Sequence, residues 1–457
     1  MTSQDTCIII HGLTWAGSDL PCTVVLHDGI VTSVSTDPVD VQQLVPDADV
    51  GALVIDARGK LALPGMTDLY ARLREPGLTR KGTIASETAA ALAAGFTRVV
   101  CSPDTQPAID SVATVELVHH RAAAARGARV IPMGALTVGL DGEQLSELAT
   151  LQQAGCPVAG QADRPLESTN VLFSAMEYAA SFDLPLFMTA RDAQLGAGGC
   201  AHTGAIATRL GLPGIPVAAE TVALARLLEL CRETGCRLHV SRISSARSVQ
   251  MMESAKQDAL PVTCDVGLHH LFFTDEHVAG YDSLFHSAVP FRSRRDREAL
   301  RLGVASGIID AICTDHAPHD RDARLAPFPA TEAGLSAYDW AIPLILQLPG
   351  VLQLTQAQVF EKFTAAPERI IDGSARSGLV AGQVADFFLL AENARIEQRA
   401  VVQSMAGMNH PLNVHSAASL GLDTLRGKVT HVFSQRRMHD LSKSKPEVPA
   451  GSEDGGW

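Results

Sequence analysis

From Thr6 to about Leu63 the chain alternates apolar and polar residues in short runs, CIIIHG, CTVVLHDGIVTSVST and ALVIDARGKLALPG, the period-two rhythm of half-buried strands. Asp28-Gly29 sits between two β-branched runs and predicts a tight hairpin turn. Beyond Pro64 the rhythm changes. Short apolar runs, LALPGMTDLYA, TRVVCSPD, ARVIPMGAL, CPVAGQA, LPLFMTA, CRLHVSRIS, LPVTCDVG and IIDAICTD, alternate with Ala- and Leu-rich helical stretches such as SETAAALAAG, NVLFSAMEYAASF and ETVALARLLELCRETG. Eight repeated βα units predict parallel strands closed into an α/β (β/α)8 TIM barrel, whose sites lie at the carboxyl ends of the strands. After about Gly373 the strand pattern returns in GLVAGQVADFFLLA, RAVVQS and GKVTHVFSQRRMHD, so the two chain ends are expected to join in a small β-sandwich. The predicted organisation is residues 1–63 and 373–440 for the sandwich, 64–372 for the barrel, and 441–457 as a disordered tail rich in Pro, Gly, Ser and charge.

Composition narrows the function class. With 457 residues, 46% of them hydrophobic, the chain can bury a large core. A formal net charge of -13 without basic runs argues against nucleic acid or an anionic membrane as partner, because phosphate binding relies on clustered Lys and Arg. The N-terminus lacks a basic leader and no segment offers 18 consecutive apolar residues, so a cytoplasmic protein is expected. Nine scattered cysteines without CxxC spacing suggest neither a disulfide framework nor a thiolate zinc site, and are expected to be buried free thiols.

The predicted strand ends gather the polar residues Tyr70, Arg72, Asp104, Asp163, Thr189, Arg242, His269 and Asp315 at one face of the barrel. Several blocks there, DLYARLREPG, VVCSPDTQP, GLPGIPVAAE, LHVSRISSARSV, VTCDVGLHHLFFTDE, DAICTDHAPH and the late MNHPL, resemble the dihydroorotases of the amidohydrolase superfamily over about residues 50–440. The resemblance implies zinc that acidifies a water and polarises a cyclic amide, with an aspartate taking the proton. It also exposes the departures. Where the family carries His-x-His at the first strand, this chain has Tyr70 and Arg72; its other ligand histidines correspond to Thr189 and Arg242, although His239 stands three residues before the latter. The block Gln161-Ala162-Asp163-Arg164 replaces the family's strand-four acidic block, and Asp315 alone among the expected ligands and bases is intact.

A divalent ion about 4 Å from either arginine would be repelled by roughly 8 kcal/mol at an effective dielectric near 20. Arginine cannot escape by deprotonation. Zinc is therefore not expected, and no other cofactor is implied. Arg72 and Arg242 could instead bind an anion in the barrel mouth or pair with Asp163 and Asp315, the ion pair being the more economical filling of a vacated metal site. Of the residues that would recognise substrate, Arg74 and His319 persist, while the family's asparagines correspond to Asp104 and Ala288. His269 and His270 are read as site wall, and His119, His120 and His202 as surface or loop residues.

The resemblance extends to dihydroorotase-like chains that lack the metal histidines and assemble with aspartate carbamoyltransferase. It implies a non-catalytic homodimeric subunit of that kind, in which Asp315 is vestigial. Two alternatives stand beside it: a cyclic amidohydrolase hydrolysing dihydroorotate through a rebuilt site, and a sensor holding a small anionic metabolite on Arg74, Arg72 and Arg242.

Overall fold

The computed structural model describes residues 7–18, 20–36, 52–374, 379–395, 410–413, 420–422 and 425–442. The expected strand RAVVQS and the tail from residue 443 lie outside the described residues. The chain opens with strands β1 (Cys7–Trp15), β2 (Pro21–His27), β3 (Ile30–Ser35), β4 (Leu53–Asp56) and β5 (Leu61–Pro64). β1 and β2 pair antiparallel with Cys7 opposite His27, and β2 turns into β3 through Asp28 and Gly29, whose φ values are 49° and 71°. Two positive φ angles are what the favoured hairpin turn demands. Glycine is required at the second position for another reason, since a Cβ on Gly29 would lie 2.3 Å from the Cα of Arg436.

The barrel strands follow: β6 (Met66–Ala71), β7 (Phe96–Cys101), β8 (Arg129–Ala135), β9 (Val158–Gly160), β10 (Leu186–Thr189), then a small two-stranded excursion of β11 (Ala201–His202) and β12 (Gly214–Ile215), then β13 (Leu238–Ser241), β14 (Val262–Gly267) and β15 (Ala311–Cys313). The eight barrel strands pair in chain order, and a parallel bridge between Ala71 and His316 brings the last strand back to the first. Leu69, Val100, Met133, Val158 and Phe187 fill the interior, and Ile370 and Ile371 of the helix Ala365–Asp372 pack against this cluster. The interior is a packed core, as expected for eight strands. Helices over Ile84–Ala93, Val112–Ala125, Thr169–Ser181, Val217–Thr234, Ala246–Gln257 and Arg294–Ser306 cover the strands.

Strands β16 (Phe387–Arg395), β17 (Arg426–Ser434) and β18 (Arg437–Asp440) complete the N-terminal sheet, which runs β18-β17-β16-β5-β1-β2-β3 with β4 on the side of β1. The chain ends thus meet through the β5–β16 pair, where Phe388 lies opposite Leu63. Phe387, Leu389 and Phe433 pack on Ile10, Leu13 and Val24 to form this sheet's own core. Arg98 of β7 ion-pairs with Glu368 and Asp386, tying the barrel to the residue preceding β16. All nine cysteines are buried and free. Among the described residues no helix is long and apolar enough to cross a membrane.

Candidate functional site: the barrel mouth

The carboxyl ends of β6, β7, β9, β10, β13 and β15 deliver their polar residues into one hydrogen-bonded network. Asp163 stands at its centre. One of its oxygens accepts from Nη2 of Arg72 and the other from Nη2 of Arg242. Arg72 also donates Nε to Asp104 at 2.8 Å, and Arg242 donates Nη1 to Asp315 at 2.7 Å and Nη2 to Thr189 at 2.7 Å. Tyr70 lies beneath both cations. Its hydroxyl accepts from Arg72 and from Ser102, each at 3.1 Å, while the Arg242 guanidinium carbon sits 3.6 Å from its ring centroid, a cation–π stack in a desolvated place. The Arg242 side chain is 0% exposed and that of Arg72 8%.

Local backbone geometry explains how these groups converge. Ala162, Arg242 and Asp315 all have positive φ, at 53°, 58° and 53°, in the residues where β9, β13 and β15 break into their loops. Each kink turns the chain at the strand end, and the Arg242 amide is then held by the Asp265 carboxylate from the neighbouring strand. Such strained residues gather where a site has been built. Gln161, by contrast, is anchored away from the network through Thr137, to which it donates at 2.9 Å.

Electrostatics follow from this geometry. Burial alone would raise the Asp163 carboxyl, but the charges of Arg242 and Arg72 outweigh it and hold the group well below the usual carboxylate range. Asp104 is lowered in the same way by Arg72. Burial would likewise discharge the two arginines, yet their carboxylate partners push both above the ordinary guanidinium value. In the unfolded chain Asp163 titrates near pH 4, so the stability it contributes is present above about pH 4 and lost as pH falls toward its depressed folded value. The urea midpoint is therefore expected to drop between about pH 5 and pH 3, and Asp163→Asn to flatten that decline.

Arg74 and His319 form a separate pair beside the network. Arg74, at φ 66°, donates Nε to the Pro318 carbonyl at 2.9 Å and places Nη2 3.0 Å from Nε2 of His319. Burial, with Arg72 nearby, pushes its guanidinium down to about 10, and burial beside Arg74 pushes His319 down to about 2, so His319 is neutral. His239 lies 2.9 Å from Thr263 and 3.3 Å from Asp265, the carboxylate that holds the Arg242 amide. His269 joins the late MNHPL segment instead, with its Nε2 2.8 Å from that of His410.

These residues do not fit a divalent cation. Asp163 is fully engaged by two guanidiniums and Asp315 by one, and the imidazoles nearest the strand ends are tied to other partners. Asp104, Asp163 and Asp315 are each paired with Arg72 or Arg242, so none of the three is left to neutralise an ion. Space is equally limited. The cavity beside the network, lined by Asp163, Thr189, Glu220, Arg242, Ala288 and Arg292, holds about 30 Å³. That is the scale of a water molecule, against several hundred Å³ for ordinary ligand pockets.

Sequence comparison places the chain. A family model described as dihydro-orotase-like matches residues 59–248. A dihydroorotase of Anaeromyxobacter dehalogenans is 39% identical over 431 residues, spanning 94% of this chain and 96% of the relative. The chain belongs to the dihydroorotase family. A dihydroorotase-like protein of Pseudomonas putida is 49% identical over 302 residues, 66% of this chain and 71% of the relative, and one of Pseudomonas aeruginosa 45% over 337 residues, 73% and 79%. Among solved structures, an L-hydantoinase from Arthrobacter aurescens superposes with a TM-score of 0.74 at 20% identity, covering 93% of this chain and 94% of the other, which establishes a shared fold.

Within this dihydroorotase-family barrel, sequence reasoning overlooked Glu220 and Arg292. Glu220 is buried and accepts from the amides of Ser244 and Ser245 at 3.1 Å, from the hydroxyls of Ser244, Ser245 and Ser248, and from Arg292 at 3.2 Å. It thereby fixes the loop between Arg242 and the helix Ala246–Gln257 through the two amides that precede the helix, while the Ala246 amide goes to Asp296. Glu220 closes the block GLPGIPVAAE already singled out, and Arg292 stands four residues after Ala288. Their charges were the signal.

Proposed function

We propose that this dihydroorotase-family chain holds no zinc, does not hydrolyse dihydroorotate, and serves in the cytoplasm as a homodimeric, non-catalytic assembly subunit of aspartate carbamoyltransferase. The observation that carries the first half is the Arg72–Asp163–Arg242 bridge. It engages the carboxylates and fills the space that a metal and a ring-shaped substrate would need, so Asp315 becomes an ion-pair partner of Arg242 and Arg74 a residual cation held by Pro318 and His319. The second half rests on resemblance, since chains of this family that lack the metal histidines assemble with that enzyme. A barrel whose mouth is occupied keeps its outer surface available for docking.

Two other readings receive less support. A rebuilt amidohydrolase would need a metal or another electrophile where two buried guanidiniums lie. A receptor for a small anion at the mouth would need unsatisfied donors and room, whereas Arg72 and Arg242 are matched by carboxylates and the adjoining cavity is about 30 Å³. The assembly role is tested by producing the aspartate carbamoyltransferase catalytic chain of the same organism with and without this protein. Co-purification in a larger species that shrinks to the bare catalytic oligomer when this chain is omitted is expected. A carbamoyltransferase of the same size and activity in both preparations would remove the assembly role.

A further inference from the structure

A second polar cleft lies on the outside of the barrel, between helix Arg294–Ser306 and residues 272–277. It measures about 440 Å³ and is lined by Phe272, Thr274, Arg294, Arg297, Arg301 and Val351 among others. The three arginines are spaced by three and four residues, which puts them in one row on the helix. Two of them, Arg297 and Arg301, are aimed rather than loose, while Arg294 is 70% exposed. Arg297 donates Nη1 to the Phe272 carbonyl at 3.1 Å and Arg301 donates Nε to the Leu271 carbonyl at 2.9 Å, leaving their side chains only 21% and 19% exposed.

Charge in this cleft is unbalanced. Arg297 and Arg301 share one oxygen of Glu298, at 2.9 and 3.0 Å, and Arg294 takes Glu276 at 2.6 Å. Three cations therefore face two carboxylates, of which Glu298 is 52% exposed and Glu276, held at both oxygens by Arg294, is 45% exposed. Burial and the neighbouring Arg297 both push the Arg301 guanidinium below its ordinary value. His277 is lowered by burial and adds no charge. The arrangement also works against the helix. Arg294, Arg295 and Arg297 occupy its first turns, where the macrodipole favours anions, and Asp296 is the one acid of the first turn. A row of cations that begins at the wrong helix end, two of them held by backbone carbonyls and all three short of counter-charge, calls for an added anion.

We propose that this cleft binds a phosphomonoester of mononucleotide size. The phosphate, carrying between one and two negative charges, takes the place of Glu298 on Arg297 and Arg301 while Glu276 keeps Arg294, and Phe272 and Val351 supply an apolar wall for the remainder. The cavity is large enough for such a ligand, within the range of small-molecule sites. This site is independent of the barrel mouth.

Calorimetry on the full chain with inorganic phosphate, uridine, uridine 5′-monophosphate and adenosine 5′-monophosphate tests it. Both monophosphates are expected to bind more tightly than phosphate, and uridine not to bind. Arg301→Ala is expected to weaken the monophosphates by about tenfold or more, the loss of a charge-assisted contact, and Glu298→Gln to tighten them several-fold by removing the competing carboxylate. The Glu298 variant retains the arginines and guards against a folding artefact. Absence of phosphate-dependent heat, equal affinity for phosphate and monophosphates, or indifference to both substitutions would overturn the proposal.

Discussion

Arg242→Met is expected to lower the unfolding free energy by about 3–5 kcal/mol at neutral pH, because it strips a buried charge from its partners. Arg242 is fully enclosed and donates to Asp163, Asp315 and Thr189 at once. Asp163 would keep Arg72, but Asp315 would lose the cation it pairs with at a side-chain exposure of 9%. Isothermal urea denaturation measures the loss. A sharper form compares Arg242→Met with Asp163→Leu and with the double variant. Residues sharing one network couple, so the double variant is expected to be more stable than the two single losses added together. Simple additivity would mean that the ion network is not a unit.

Glu220→Ala is the second large effect, expected to cost at least about 3 kcal/mol. The carboxylate satisfies two backbone amides, three serine hydroxyls and Arg292, all enclosed by protein. Alanine leaves the Ser244 and Ser245 amides without an acceptor and removes the carboxylate from the hydroxyls and from Arg292. Arg292 would then be a buried guanidinium, 2% exposed, left with Ser244, the Ile215 carbonyl and His202. Removing the cation as well, in Glu220→Ala/Arg292→Leu, is expected to recover part of the loss in the same urea experiment. A Glu220→Ala protein as stable as the parent would show that the loop after Arg242 does not depend on this cap.

The barrel was legible because its eight apolar runs and intervening amphipathic stretches obey two different periods, and each predicted run overlaps an observed barrel strand, although the first, LALPGMTDLYA, is divided at Gly65 between β5 of the end sheet and β6 of the barrel. The excursion of β11 and β12, two residues each, was not, because strands that short carry no periodicity. At the mouth, the replaced positions Tyr70, Arg72, Thr189 and Arg242 could be found from their place at strand ends beside intact motifs. The pairing of Arg72 and Arg242 with Asp163 and Asp315 was readable as well, but that Asp163 alone bridges both arginines was not, since Gln161, Ala162 and Asp163 compete for one alignment. The positive φ at Ala162 decides the matter by turning Asp163 into the network while Gln161 stays with Thr137. His410 escaped for another reason. It reaches His269 from 141 residues away, a contact that only the tertiary fold creates. The row Arg294, Arg297 and Arg301 drew no notice in the sequence, because three arginines spaced by three and four residues form no basic run and only the fold sets them along one cleft.

The central claim is that a guanidinium–carboxylate network has taken the place of the metal. Zinc analysis of the purified full chain after exposure to zinc, together with a dihydroorotase assay on the same sample, tests it most directly. The account predicts zinc well below one ion per chain and no turnover of dihydroorotate above the uncatalysed rate. Stoichiometric zinc accompanied by turnover that Asp315→Ala abolishes would contradict it.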